Sequence, residues 1–229
     1  MQKDRYERYG DYILDRSEEL GKGSYGKVYR GYHLDINQRL TAIAIKEAYL
    51  HEQIMKEIRT LETLSHRNIV KYLDYREHKG YVYMFMQLCE GSLDTVLLRN
   101  PTAEERLDYF RQIVAGVRFM YSRSLLHRDL KPSNILVRGN TIKIADFGTA
   151  KFVAMDQLHH ETLAGTPLFC SPEMLQVRLG QASRYTEQSE IWSMGLLLYY
   201  IFNFAAEAPV EERTRLSLPW HSRGEGKLL

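Results

Sequence analysis

The chain has 229 residues, 44% hydrophobic and 26% charged, which excludes wholesale disorder and suits one large domain or two small lobes sharing a cleft. Lysine plus arginine (31) nearly balances aspartate plus glutamate (29), for a net charge of +2, so no nucleic-acid or general polyanion binding is expected. Cys89 and Cys170 lie far apart without metal-ligand spacing, which leaves a disulfide open but indicates no bridge-dependent secreted scaffold.

The first residues, MQKDRYERYGDY, carry charge and aromatics instead of the apolar core of a signal peptide. The longest apolar run, MGLLLYYIF (194–202), is too short to span a bilayer and reads as a buried helix. A soluble cytoplasmic or nuclear protein without a transmembrane segment is the resulting expectation.

In chain order, KVYRGYHL (27–34) and LTAIAIK (40–46) read as strands, followed by IVKYLDY and YVYMFMQ. Between them Ile54, Ile58, Leu61 and Leu64 recur at spacings of four, three and three, which predicts one amphipathic helix over about 51–65. From residue 92 helices dominate. Thr102-Ala-Glu-Glu105 has the form of a capping box and opens a helix with Leu107, Phe110, Val114 and Val117 along one side. RGNT (138–141) separates two short β-like runs. Thr186 can cap a last apolar helix, 187–203, with Glu187 in its first turn. The layout is α+β and two-lobed: a small antiparallel-sheet lobe with one main helix, then a helical lobe.

Three patterns carry chemistry. GKGSYGKV places Gly21, Gly23 and Gly26 where absent side chains let backbone N–H groups approach phosphates, while Val28 can cover an apolar ring. Glycines also mark ordinary hairpins, and the flanking strands argue against a Rossmann site. Lys46 ends an apolar strand, either reaching solvent or serving as a cation for phosphates. In the second case Glu57 is the favoured partner and Glu52 the weaker candidate. In HRDLKPSNIL, Asp129 could accept a proton from an attacking hydroxyl, Lys131 could neutralise a phosphoryl group, and Asn134 could offer an oxygen to Mg²⁺. Pro132 stiffens that loop. Asp146 of DFG adds a hard oxygen ligand, whereas His127 and Phe147 read as packing residues.

Residues about 14–203 resemble the eukaryotic protein kinase family, through the Gly-rich loop, the Ala-Ile-Lys strand, a helix Glu, HRDLKPSN, DFG and SPE in that order. The resemblance implies ATP-dependent phosphoryl transfer to protein substrates in the cleft between lobes. Lys46 would hold the α/β-phosphates and pair with Glu57, Asp129 would be the catalytic base, and Asn134 and Asp146 would bind Mg²⁺. Lys131, two residues after the catalytic Asp, resembles the serine/threonine type. Met86 would be the gatekeeper, Gln87 and Cys89 would offer backbone groups to adenine, and Val28, Ala44 and Leu136 would sandwich the ring. Thr162 in TLAGTP would be a regulatory phosphosite engaging Arg128, and Thr166 would shape the peptide groove.

The implied organisation is an extension at 1–13, an N-lobe at 14–86, a hinge at 87–91, a partial C-lobe at 92–203 with its activation segment at 146–173, and a divergent tail at 204–229. Two departures from the family stand out. Glu190 occupies the position where the family has an Asp that bonds the HRD backbone, and its extra methylene is expected to carry the carboxylate about a bond length too far unless the helix shifts. Family members also usually continue well past the 187–203 helix, adding an arginine that pairs with Glu173, a role for which Arg213 and Arg215 are poor candidates here. The tail should therefore leave apolar surface uncovered, a setting for self-association or a protein partner. The alternative to an active kinase is thus an impaired, nucleotide-binding or scaffolding relative.

Overall fold

The computed structural model describes residues 5–23, 26–153, 166–178, 185–208, 212–214 and 217. They fall into two compact units: one runs to Glu90 and takes Asp146–Gly148, and the other takes Gly91–Ala145 and the residues from Thr149 onward.

The first unit is a six-stranded antiparallel sheet with one helix. β1 (Tyr6–Tyr9), β2 (Tyr12–Gly23), β3 (Gly26–Leu34), β4 (Leu40–Tyr49), β5 (Tyr72–His78) and β6 (Tyr81–Gln87) are ordered β1-β2-β3-β4-β6-β5. The sheet begins upstream of residue 14: Tyr6 pairs with Asp15 and Tyr9 with Tyr12, around a turn in which Gly10 takes φ +64°. Residues placed in an N-terminal extension are therefore a sheet strand. Alternation had not marked them because YERY is only half-buried. The strand expected from Ile69 starts instead at Tyr72, although Ile69 and Val70 are buried.

Strand parity sorts the sheet into two faces. Lys46 pairs with Val28 and Met84, and Ala44 with Met86, so these side chains share one face. The opposite face buries Leu14, Tyr29, Ile43, Ile45 and Phe85 in an aromatic-rich core, with Tyr12 stacked on Phe85 at 3.8 Å and Tyr9 on Tyr83 at 4.1 Å. Each large side chain so enclosed contributes about 1.5–3 kcal/mol.

After β4 only Leu50 and His51 precede α1 (Glu52–Glu62). His51 caps it, its Nδ1 accepting from the Ile54 N–H at 3.4 Å. Ile54, Ile58 and Leu61 are buried along the predicted stripe, and Glu57 is buried with them.

The second unit is mostly helical: α2 (Leu93–Leu97), α3 (Ala103–Tyr121), α4 (Pro172–Arg178) and α5 (Glu187–Phe202). Its small sheets are β7 (Gly91–Ser92) with β9 (Ile135–Arg138) and β10 (Thr141–Ile144), and β8 (Leu125–Leu126) with β11 (Lys151–Phe152). The predicted capping box is present: Thr102 Oγ1 accepts from Glu105 N–H, and Glu105 returns the bond to Thr102 N–H at 2.7 Å. The buried face of α3 differs from the one read off the sequence. It is Ile113, Gly116, Val117 and Met120; Leu107 is exposed, and Phe110 and Val114 are only half-buried, because the first turns of α3 run along the surface.

In α5, Leu197, Tyr200 and Ile201 are fully buried. Tyr200 donates to Asp94 at 2.7 Å, and its ring meets Phe204 edge-on at 5.5 Å. Ser217 Oγ accepts from Ala205 N–H at 2.8 Å, so described residues of the tail fold back onto the end of this helix. Ile191, Trp192 and Phe202 remain exposed. Among the described residues, no helix is long and apolar enough to cross a membrane.

Candidate active site

In the first unit β2 and β3 form the expected strand–turn–strand, with Gly21 opposite Val28 and Gly23 opposite Gly26. A side chain at Gly26 would collide with the carbonyl of Glu47, so this position requires glycine on steric grounds as well as for its φ of +157°.

Lys46 and Glu57 form a buried pair, with Lys46 Nζ 2.8 Å from both carboxylate oxygens and 3.4 Å from Asp146 Oδ1. Glu57 is thereby placed where the sequence put it, and the two-residue link between β4 and α1 is what lets an eleven-residue separation close. Burial works against the Lys46 ammonium, but the Glu57 and Asp146 carboxylates more than offset it, so its pKa is raised. Burial also pushes the Glu57 carboxyl upward, against the pull of Lys46. Twin short hydrogen bonds favour the ammonium–carboxylate form of this pair at neutral pH.

Asp146 has φ +62°, a left-handed conformation that a non-glycine residue adopts at a cost and that clusters at functional sites. Its side chain is 37% exposed. Met86 and Gln87 end β6, on which Met86 pairs with Ala44, and Cys89 follows.

The second unit assembles the other cluster. A short 3-10 turn, Pro132–Asn134, opens with Pro at its first position and sets Asn134 against Asp129. Asn134 Nδ2 donates to the Asp129 carbonyl at 2.8 Å and to Oδ2 at 3.2 Å, which leaves the amide oxygen as its remaining ligand atom. Lys131 Nζ lies 2.8 Å from Asp129 Oδ2. Thr166 completes the cluster: its hydroxyl donates to Asp129 Oδ1 at 2.9 Å and accepts from Lys131 Nζ at 2.8 Å. The resemblance set Thr166 in the groove near Asp129; the structure adds a direct hydrogen bond across 37 positions of sequence. Leu136 lies half-buried on β9. Thr162 falls outside the described residues.

The loop carrying Asp129 is fixed from below. His127 is buried and its Nε2 meets the Ala145 carbonyl at 2.9 Å, a packing role as expected. Glu190 makes the family's contact despite its extra methylene: its Oε1 accepts the His127 N–H at 2.6 Å and the Arg128 N–H at 2.8 Å. The additional rotatable bond lets the longer side chain reach the same loop. Oε2 is enclosed without a hydrogen bond among the described residues, the Tyr121 hydroxyl turning to the Glu187 carbonyl at 3.4 Å. Burial raises the Glu190 pKa to about 7, the two backbone N–H groups offsetting only part of it. Arg128, between the clamped N–H groups and Asp129, takes φ +73°. Among the described residues Glu173 has no arginine partner; it accepts from Ser189 Oγ at 2.7 Å, while Arg213 Nε donates to the Ala208 carbonyl.

Comparison with known proteins gives the family. A model of the protein kinase domain matches residues 14–219, which extends past α5 into the tail. The chain is 34% identical over 84% of its length to "Serine/threonine-protein kinase atg1" of Dictyostelium discoideum, of which it covers 30%. It is 32% identical over 84% of its length to "Serine/threonine-protein kinase ATG1b" of Arabidopsis thaliana, covering 27% of that protein. It is also 30% identical over 90% of its length to "Serine/threonine-protein kinase ULK1" of Homo sapiens, covering 21%. The chain thus spans less than a third of these relatives. The ordered motifs, the two clusters and the match over most of the chain agree, and the chain belongs to the protein kinase domain family.

Proposed function

We propose that the chain catalyses ATP-dependent transfer of a phosphoryl group to serine and threonine hydroxyls of protein substrates. The observation that carries this reading is the Asp129 carboxylate held by Thr166, Lys131 and Asn134. A carboxylate fixed in that way can accept the hydroxyl proton as the oxygen attacks. Lys131, already a cation at hydrogen-bond distance, stabilises the charge on the group in transfer. The relatives' printed names support serine and threonine as acceptors.

The donor set fits Mg²⁺ and a nucleotide. In the first unit Asp146 offers a partly exposed carboxylate, and in the second Asn134 offers an amide oxygen, each a hard donor of the kind Mg²⁺ takes. When bound, Mg-ATP supplies the phosphoryl group and neutralises its charge. Lys46, kept charged by Glu57, binds phosphate oxygens; Gly21, Gly23 and Gly26 expose backbone N–H groups to them. Val28, Ala44 and Met86 of the first unit supply apolar contact to the base, and the backbone of Gln87 and Cys89 its hydrogen bonds. Calorimetric titration tests the nucleotide part. Mg-ATP should bind the unmodified chain and bind Lys46→Met at least about tenfold more weakly; equal affinities would reject the assignment of Lys46.

A further inference from the structure

The sheet face opposite Lys46 carries a second cavity, of about 1220 Å³, formed wholly within the first unit. Register places it there: Lys27 pairs with Glu47 and with Lys22, and Glu47 with Tyr83, all of the parity opposite to Val28, Lys46 and Met84. Its floor is Arg16, whose guanidinium bonds Glu7 and Glu47 through four contacts of 2.7–2.8 Å. Both carboxylates of the lining are therefore committed to Arg16, and Tyr9 adds a further bond to Glu7 at 2.7 Å.

The remaining formal charge around the cavity is positive. Lys27 pairs with Glu19 at 2.7 Å, but Arg8, Lys22 and Lys79 are exposed and have no ion-pair partner among the described residues. Arg8 uses its Nε on the Gly10 carbonyl at 2.8 Å, which leaves its terminal amines outward. Between these cations stand stacked tyrosines: Tyr9 on Tyr83, and Tyr49 on Tyr81 at 4.5 Å, with Tyr49 68% exposed. Stacking holds these rings in place before anything binds, so ordering them costs a ligand little. Tyrosine and arginine are also the side chains that most often anchor protein contacts.

From this cavity we infer a docking site for an acidic peptide segment of a partner protein, bearing an apolar or aromatic side chain that enters between the tyrosines while its carboxylates meet Arg8, Lys22 and Lys79. It lies on the sheet face opposite Lys46; its lining takes in Lys22 and Gly26 of the Gly-rich segment but none of Lys46, Asp129, Asn134 or Asp146, so it is a place to hold a partner beside the chemistry. The favourable term is charge complementarity at the rim added to apolar burial in the middle.

Fluorescence anisotropy tests it with a fluorescein-labelled peptide of alternating Glu and Asp around one Phe, beside a Gln/Asn version and a version with Ser for Phe. The acidic Phe peptide should bind most tightly. The pair Arg8→Glu/Lys79→Glu should weaken it at least about tenfold, and Tyr49→Ser about threefold. A control reversal on α3, Arg111→Glu/Arg118→Glu, both exposed, should change it less than about twofold. Circular dichroism establishes that each variant is folded. Equal binding of the neutral peptide, an equal effect of the control pair, or no dependence on Phe (a simple anion site) would each overturn the proposal.

Discussion

Glu190 on α5 holds the His127 backbone N–H at 2.6 Å, and the same oxygen holds the next N–H in the loop that ends at Asp129. The bond ties the proposed catalytic loop to the buried helix. Replacing Glu190 by Ala would strand two buried donors, at about 1–3 kcal/mol each. Urea denaturation should show a loss of about 2–5 kcal/mol for Glu190→Ala and a smaller one for Glu190→Gln, whose amide oxygen still accepts both bonds.

The same residue sets a pH dependence. Its folded pKa, about 7, lies above the ordinary carboxylate value of 4.5, so the folded protein binds the extra proton more tightly than the unfolded chain does. Its contribution to stability is full below pH 4.5 and is lost as pH rises from there through about 7. The wild-type chain should become less stable between pH 5.5 and 8 by about 2 kcal/mol from this group. Glu190→Gln should flatten that part of the profile, and matching profiles would show that the carboxyl does not titrate there.

Lys46 and Glu57 make an asymmetric pair to mutate. Lys46→Met leaves a buried carboxylate with no cation, a change of the kind that costs about 3–5 kcal/mol. Glu57→Gln leaves Lys46 with Asp146 at 3.4 Å and should cost less. The Lys46→Met penalty should also shrink from pH 8 to pH 6 as Glu57 takes up a proton, which chemical denaturation at the two pH values measures.

Thr166 joins the base to its lysine. Thr166→Val removes both hydrogen bonds without much change in volume and should lower kcat about tenfold, with the KM for ATP nearly unchanged. Thr166→Ser should recover most of the rate. Steady-state kinetics with ATP varied separates this from a general loss of folding, which would reduce the active fraction of both variants.

Much of the site was legible because its chemistry is local. Asp129, Lys131 and Asn134 sit within six residues, and the position of Glu57 followed from the period of one short helix. Contacts made over long separations are set by tertiary packing that no spacing encodes: Tyr200 with Asp94 was hidden, and the nearness of Thr166 to Asp129 and of Glu190 to the His127 backbone came only from the family resemblance. The first strand was missed for another reason. Tyr6–Tyr9 lies at the sheet edge, where half-burial blurs the alternation that marks a strand. The face of α3 was misassigned because apolar residues at its surface end matched the helical period as well as the buried ones did.

Transfer of labelled phosphate from ATP to a protein substrate offering Ser, Thr and Tyr tests the central claim most directly, with the unmodified chain run beside Asp129→Asn. Label should appear on phosphoserine and phosphothreonine, and fall by at least about a hundredfold in the variant. Undiminished transfer by Asp129→Asn, or label confined to phosphotyrosine, would contradict the roles given to Asp129 and to the loop around it.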